Sequence, residues 1–167
     1  MRRRLIDLTL PLRPHFRWQV DRTQAGDIAR GDIFQITRLA FPVHAFTHLD
    51  SPRHVLPNGA TTSDIPLERT IGEAAVIDLA DIGVQTAITA DLLAERASHL
   101  RAGGIALLRT GWYAKRSVDE PAYWDDAPWL TRDAAIWLRE RQVRACAFDF
   151  PQDYTIRLLL RGEVAPR

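Results

Sequence analysis

Pro42-Val43-His44-Ala45-Phe46-Thr47-His48-Leu49-Asp50-Ser51-Pro52, with His54 two residues beyond, is the stretch around which the chain is organised. Three of the five histidines fall at positions 44, 48 and 54, and Asp50 lies between them. All four positions share one parity. Alternate side chains of an extended strand project to one face, so a strand carries His44, His48 and Asp50 together. A helix also aligns residues four apart, but the two prolines leave it little room and bias the residues before them away from helical geometry. The reading is a strand running into a loop. Pro52 ends that strand and starts a turn that swings His54 back toward the same pocket.

Neutral imidazoles and a carboxylate are the usual N/O ligands of zinc and similar divalent ions, and a catalytic site keeps one position open for water. Taken singly, each of these residues is an ordinary hydrogen-bonded polar group. Taken together, three imidazoles and an acid on one short segment are costly to desolvate without a partner that binds them all. His44, His48 and Asp50 are therefore the expected ligands of one divalent ion, zinc or manganese, since mixed N/O ligation does not choose between the two.

The pattern His44-x-x-Thr47-His48-x-Asp50-x-Pro52-x-His54 resembles the H-x-G-T-H-x-D-x-P-x-H signature of the cyclase family of metal-dependent hydrolases, the kynurenine formamidase and isatin hydrolase-like group. Phe46 stands where that signature has glycine. Ile6-Asp7-Leu8-Thr9-Leu10-Pro11-Leu12 is similar to the family's opening strand, and Leu107-Leu108-Arg109-Thr110-Gly111-Trp112 to its later strand and active-site loop. The resemblance implies a mixed β/α swivelling-domain fold and a metal-dependent hydrolase of amides, acting on an arylformamide such as N-formylkynurenine or on a cyclic amide. It also implies a cytoplasmic homo-oligomer serving tryptophan catabolism. It gives His54 the role of proton-transfer residue, with a fourth metal ligand as the alternative, and aligns Trp18 with a substrate-contacting tryptophan. Phe46 shares the parity of the ligands, so a strand leans it toward the metal face, where it narrows the substrate pocket or adds a stacking surface.

Family members run on past the point where this chain stops, to a later histidine and glutamate that complete a second metal site with the shared aspartate. After Asp153 this sequence has Glu163 and no histidine, and it ends at Arg167. The expectation is a C-terminally truncated cyclase-like α/β domain, incomplete in its second ion site. The alternative function is a truncated or degenerate relative that binds one ion without catalysis.

The 167 residues are about the size of one domain, and no repeat, low-complexity tract or linker divides them, so residues 1–167 read as a single domain. A hydrophobic content of 46% and a charged content of 26% are those of an ordinary globular protein. All but one of the 22 basic residues are arginine, Lys115 being the exception, and they are mixed with acids to a net charge of +1. That excludes a phosphate-binding footprint and gives no case for nucleic acid or a membrane surface. Cys146 is the single cysteine, so no intrachain disulfide forms. Its apolar neighbours make it a small buried residue. Arg2-Arg3-Arg4 resembles the start of a signal peptide, but Asp7 and Pro11 interrupt the apolar run that has to follow.

Residues 4–12 alternate as a first strand. Thr23 to Ala29 is turn-like and weakly helical, and Asp32 to Ala40 is a second strand. Leu56-Pro57-Asn58-Gly59 is a turn with glycine in the left-handed position, and Thr61 to Glu68 is a loop with a short helical turn. Gly72 to Leu79 reads as a buried strand, Thr89 as the N-cap of a short helix, and His99 after it as a surface histidine without a partner. Ile105 to Arg109 is a strand. Gly111 to Trp129 is a long aromatic loop, in which Trp112, Tyr113, Tyr123, Trp124 and Trp129 serve packing, a pocket or an oligomer surface. Thr131 caps a helix through Arg141 with Ala134, Ala135 and Leu138 on one face. Val143 to Phe148 is the closing strand, followed by Asp149 and Asp153 as loop or supporting acids.

Overall fold

The computed structural model describes residues 4–152 and 154–163, apart from the side chains at 155 and 160. Arg2, Arg3 and Asp153 lie outside the described residues. The chain forms two compact units, Met1–Ile65 and Pro66–Arg167. Together they hold parallel and antiparallel sheets with interspersed helices, the mixed α/β class expected. No helix among the described residues is long and apolar enough to cross a membrane.

Among the described residues, the first unit's one sheet is an antiparallel pair, β1 (Asp21–Gly26) with β2 (Ile36–Ala40). Thr23 pairs with Arg38 inside it, so the segment read as turn-like is strand up to Gly26. A 3-10 turn at Ile28–Arg30 follows, its Ala29 N–H capped by the Asp27 carboxylate and its Ile28 N–H donating to the Gln35 side chain. Residues 4–12 form no strand. Their alternation is real, but the Asp7 carboxylate accepts from both the backbone N–H and the hydroxyl of Thr9. Such local side-chain bonds compete with a ladder. Leu5, Ile6 and Leu8 are exposed, so neither face of the segment is buried.

The second unit is built on a parallel sheet with β5 (Ile105–Arg109) between β3 (Ala74–Asp78) and β7 (Ala145–Phe148). Parallel neighbours need crossovers. One carries α1 (Ala90–Arg96). The other carries α2 (Trp112–Lys115), α3 (Pro121–Asp125) and α4 (Arg132–Glu140). The central strand is buried through Ile105, Ala106 and Leu108. β3, by contrast, buries Ile77 and leaves Val76 half exposed, so it is a one-sided strand rather than a fully buried one.

Both predicted N-caps form. The Thr89 hydroxyl accepts from Leu92 N–H at 3.3 Å, and the Thr131 hydroxyl accepts from Ala134 N–H at 3.4 Å. The two helix starts are also tied together, because the Asp133 carboxylate of α4 accepts from Ala90 N–H at 2.8 Å. Ala134 and Leu138 are buried, whereas Ala135 faces outward.

The aromatic loop is not a loop. Gly111, at φ 66, enters α2, and Pro121 occupies the first turn of α3. Trp112, Tyr123 and Trp124 are core, and the Trp112 indole donates to the Tyr123 carbonyl at 2.8 Å. Tyr113 alone of the loop's aromatics is largely exposed. His99 has a partner after all, its Nε2 lying 3.0 Å from the Val76 carbonyl.

A short second parallel pair joins β4 (Ala87–Ile88) to β6 (Trp129–Leu130). On the other side of β6 the Gln152 amide accepts from Leu130 N–H and donates to the Leu130 carbonyl, both at 3.0 Å. The Trp129 ring stacks on Tyr154 at 3.8 Å, at the start of α5 (Tyr154–Leu160).

Candidate metal centre

The stretch from Pro42 to Pro52 is a chain of bends, not a strand. Extended geometry carries residues four apart about 13 Å along the chain, too far for His44 and His48 to share an ion, although it aligns their faces. The observed chain reverses at Phe46, whose φ is 55. A left-handed residue with a Cβ costs roughly 1–2 kcal/mol, and this is the position where the resembled signature has glycine.

The reversal brings three ligand atoms together. His44 Nδ1 lies 3.0 Å from Asp50 Oδ1 and 2.9 Å from His48 Nε2, and His48 Nε2 lies 3.5 Å from Asp50 Oδ1. Donors about 2.0–2.2 Å from one ion, at tetrahedral or octahedral angles, stand about 2.9–3.5 Å apart. The three distances fit that requirement. A single proton on His44 Nδ1 cannot satisfy both acceptors facing it, and a shared cation removes the conflict. The three residues form a group able to hold a metal ion, and all remain open to solvent.

The other atoms of the loop hold these donors in place. His48 Nδ1 lies 2.9 Å from the Phe46 carbonyl, which can only accept, so Nδ1 donates. The Thr47 hydroxyl accepts from Leu10 N–H at 2.9 Å, tying the opening segment to the loop. Pro52–His54 is a 3-10 turn, and it lays the His54 ring against that of His44, with centroids 4.3 Å apart and planes 16° apart. His54 is outside the ligand group.

Gly59 is not left-handed, contrary to the sequence reading. It is glycine because of a close approach: a Cβ there would stand 2.6 Å from the Pro52 carbonyl carbon and 2.7 Å from Arg53 N. Gly59 therefore lets the 56–60 turn close on the segment that carries His54, where Arg53 N–H donates to the Ala60 carbonyl at 3.0 Å.

Trp18 and Phe46 meet, with ring centroids 4.6 Å apart, and Phe46 is buried. The sequence reading left out His15, which stacks on Trp18 at 4.6 Å and receives Arg17 N–H on its Nδ1 at 3.1 Å. Its nearness to Trp18 in the His15-Phe16-Arg17-Trp18 run was the available signal.

Asp149 in the second unit was also undervalued. Its carboxylate accepts from Thr110 N–H at 2.9 Å, the Thr110 hydroxyl at 2.6 Å and Gly111 N–H at 2.7 Å. It thereby pins the end of β5 to the end of β7. Burial, and then the charge of Asp149, push the nearby Tyr123 phenol up to about 12.

Known proteins resemble this chain on several counts. Kynurenine formamidase of Bacillus mycoides (strain KBAB4) is 28% identical over 116 residues, 70% of this chain and 51% of that protein. Kynurenine formamidase of Paracidovorax citrulli (strain AAC00-1) is 45% identical over 42 residues, 25% of this chain and 19% of that protein. The crystal structure of an isatin hydrolase bound to the product analogue thioisatinate superposes with a TM-score of 0.68 at 25% identity, covering 79% of this chain and 56% of that one. The chain thus spans about half the length of the Bacillus relative and of the isatin hydrolase it matches. Residues 6–152, which carry the ligand group and reach into both units, match the Cyclase family model, and the chain belongs to that family.

Proposed function

We propose that this chain is a metal-dependent amide hydrolase that acts on an arylformamide of the N-formylkynurenine type or on a cyclic amide. The observation that carries the reading is the convergence of His44 Nδ1, His48 Nε2 and Asp50 Oδ1 within 3.5 Å of one another. Two imidazoles and one carboxylate suit zinc and manganese alike. A divalent cation bound there would polarise the amide carbonyl as a Lewis acid and would acidify a bound water, to a pKa of about 7 in the case of zinc.

The chain's own residues supply the rest. Amide hydrolysis adds the elements of water across the C–N bond and must deliver a proton to the departing nitrogen. An imidazole suits that transfer because it gains and loses a proton near neutral pH. His54, stacked on a ligand and outside the ligand group, is assigned the task. Trp18 and Phe46 offer an aromatic surface against which an aryl ring can stack. The family match across residues 6–152 supports one functional domain. The resemblance also supports a cytoplasmic homo-oligomer acting on a small-molecule amide.

The test measures bound zinc and manganese by elemental analysis, and hydrolysis of N-formylkynurenine, formylaniline and cyclic amides, on the native chain and on His54→Ala. The expected variant keeps its metal and loses about 10²–10⁴-fold in turnover. Loss of metal as well makes His54 a ligand. A metal-loaded native chain without hydrolysis leaves the second reading, a one-ion binder.

A further inference from the structure

The geometry points to Phe46 as a positioning residue that acts on His48 through its backbone, not through its ring. The inference rests on the metal-binding reading and adds what sets the donor atom of one ligand. The Phe46 carbonyl faces His48 Nδ1 at 2.9 Å. A carbonyl has no proton to give, so the imidazole Nδ1 carries the hydrogen. In a neutral ring the lone pair is then at Nε2, the atom 2.9 Å from His44 Nδ1 and 3.5 Å from Asp50 Oδ1. The opposite tautomer would aim an N–H at the place where a cation needs a lone pair, and the hydrogen bond at the far nitrogen decides between the two.

That carbonyl is where it is because Phe46 adopts φ 55. The conformation is open to glycine and asparagine and strongly disfavoured for a β-branched side chain. Burial of the Phe46 ring against Trp18 holds a bulky residue in this conformation. Ring and backbone thus have separable roles: the ring is an anchor, and the left-handed peptide selects the tautomer.

Three substitutions separate them. Phe46→Gly and Phe46→Asn remove the ring and keep the left-handed conformation accessible; Phe46→Val opposes it. Zn²⁺ affinity is measured by competition with a chromophoric chelator. The His48 tautomer is read in the metal-free, ¹⁵N-histidine-labelled chain by long-range ¹H–¹⁵N correlation, its signal assigned by loss in His48→Ala. The expected result is Nδ1–H at His48 in the native chain and in the glycine and asparagine variants. Those three chains also keep their Zn²⁺ affinity, while the valine variant binds about 10–100-fold more weakly.

Equal losses for glycine and valine assign the effect to the ring and overturn the proposal. So does an Nε2–H tautomer in the native chain. Should the valine chain fail to fold, retention of tautomer and affinity in the glycine and asparagine chains still supports it, and loss in both overturns it. A native chain that binds no Zn²⁺ defeats the metal-centre reading instead, and the tautomer measurement then decides the positioning claim by itself.

Discussion

Met1–Ile65 and Pro66–Arg167 are made on different principles. Among the described residues, Phe46 is the one large apolar side chain buried in the first unit, whose β2 is exposed along its whole length. The second unit fully buries Ile77, Leu79, Ile88, Leu93, Leu108 and Trp112. The ligand group nevertheless sits in the first. There the donors are placed by short-range devices: a left-handed residue, a carbonyl on an imidazole, a hydroxyl on Leu10 N–H and a missing Cβ at Gly59. Coordination chemistry needs polar atoms held in place and open to solvent, which hydrophobic burial does not supply. Burial does supply folding free energy, and the second unit concentrates it.

Exchanging a lesion between the units tests this division most severely. Leu93→Ala, at a fully buried site, is expected to cost about 2–5 kcal/mol in urea denaturation while leaving Zn²⁺ affinity of the folded chain unchanged. His48→Ala is expected to do the reverse, removing the metal while shifting the stability of the metal-free chain by less than about 0.5 kcal/mol. A His48→Ala chain that unfolds as readily as Leu93→Ala breaks the division.

A smaller effect comes from a place where the second unit also relies on a carboxylate. Asp149→Ala leaves two backbone donors and the fully buried Thr110 hydroxyl without their acceptor. The expected loss is about 1–3 kcal/mol. Amide hydrogen exchange should quicken at Thr110 and Gly111 before it does in β3, and uniform acceleration across the sheet would deny Asp149 a local role.

The last effect is alkaline and absent at neutral pH. Burial pushes the Cys146 thiol up to about 11, above its ordinary value of about 8.5. The unfolded chain therefore releases this proton first. Stability from the neutral thiol is complete below about pH 8.5 and is lost as pH rises through about 11. The Tyr123 phenol, ordinarily near 10 and raised to about 12, extends the loss upward. Replacing Cys146 with alanine should flatten the lower part of this slope in a pH series of denaturation midpoints. An unchanged slope would place the thiol in a wetter setting than its neighbours suggest.

What the sequence disclosed follows from the range of the interactions involved. Thr89 and Thr131 were legible as caps because a cap bonds within three residues, and the apolar run at 105–108 because a central strand is buried on both faces. The Pro42–Pro52 motif was legible as a ligand set by residue type and spacing, but not as a shape. Parity suggested a strand, and only the backbone at Phe46 explains how residues four apart come within 3 Å. Residues 4–12 had the strand pattern and lacked a partner to make it a strand. The helices α2 and α3 lie in the stretch that reads as one long aromatic loop, although Pro121 suits a first helical turn.

The Gln152 amide has a consequence for how copies of this chain meet in crowded solution. β6 pairs with β4 through Trp129 N–H and Thr131 N–H, leaving the Leu130 peptide groups facing the other way. A strand edge of that kind is a template for a stranger's backbone, the first step of edge-to-edge aggregation. Gln152 occupies both groups at once, presenting its amide as another peptide would. One side chain takes the place of an additional strand and closes the β6 edge of the small sheet.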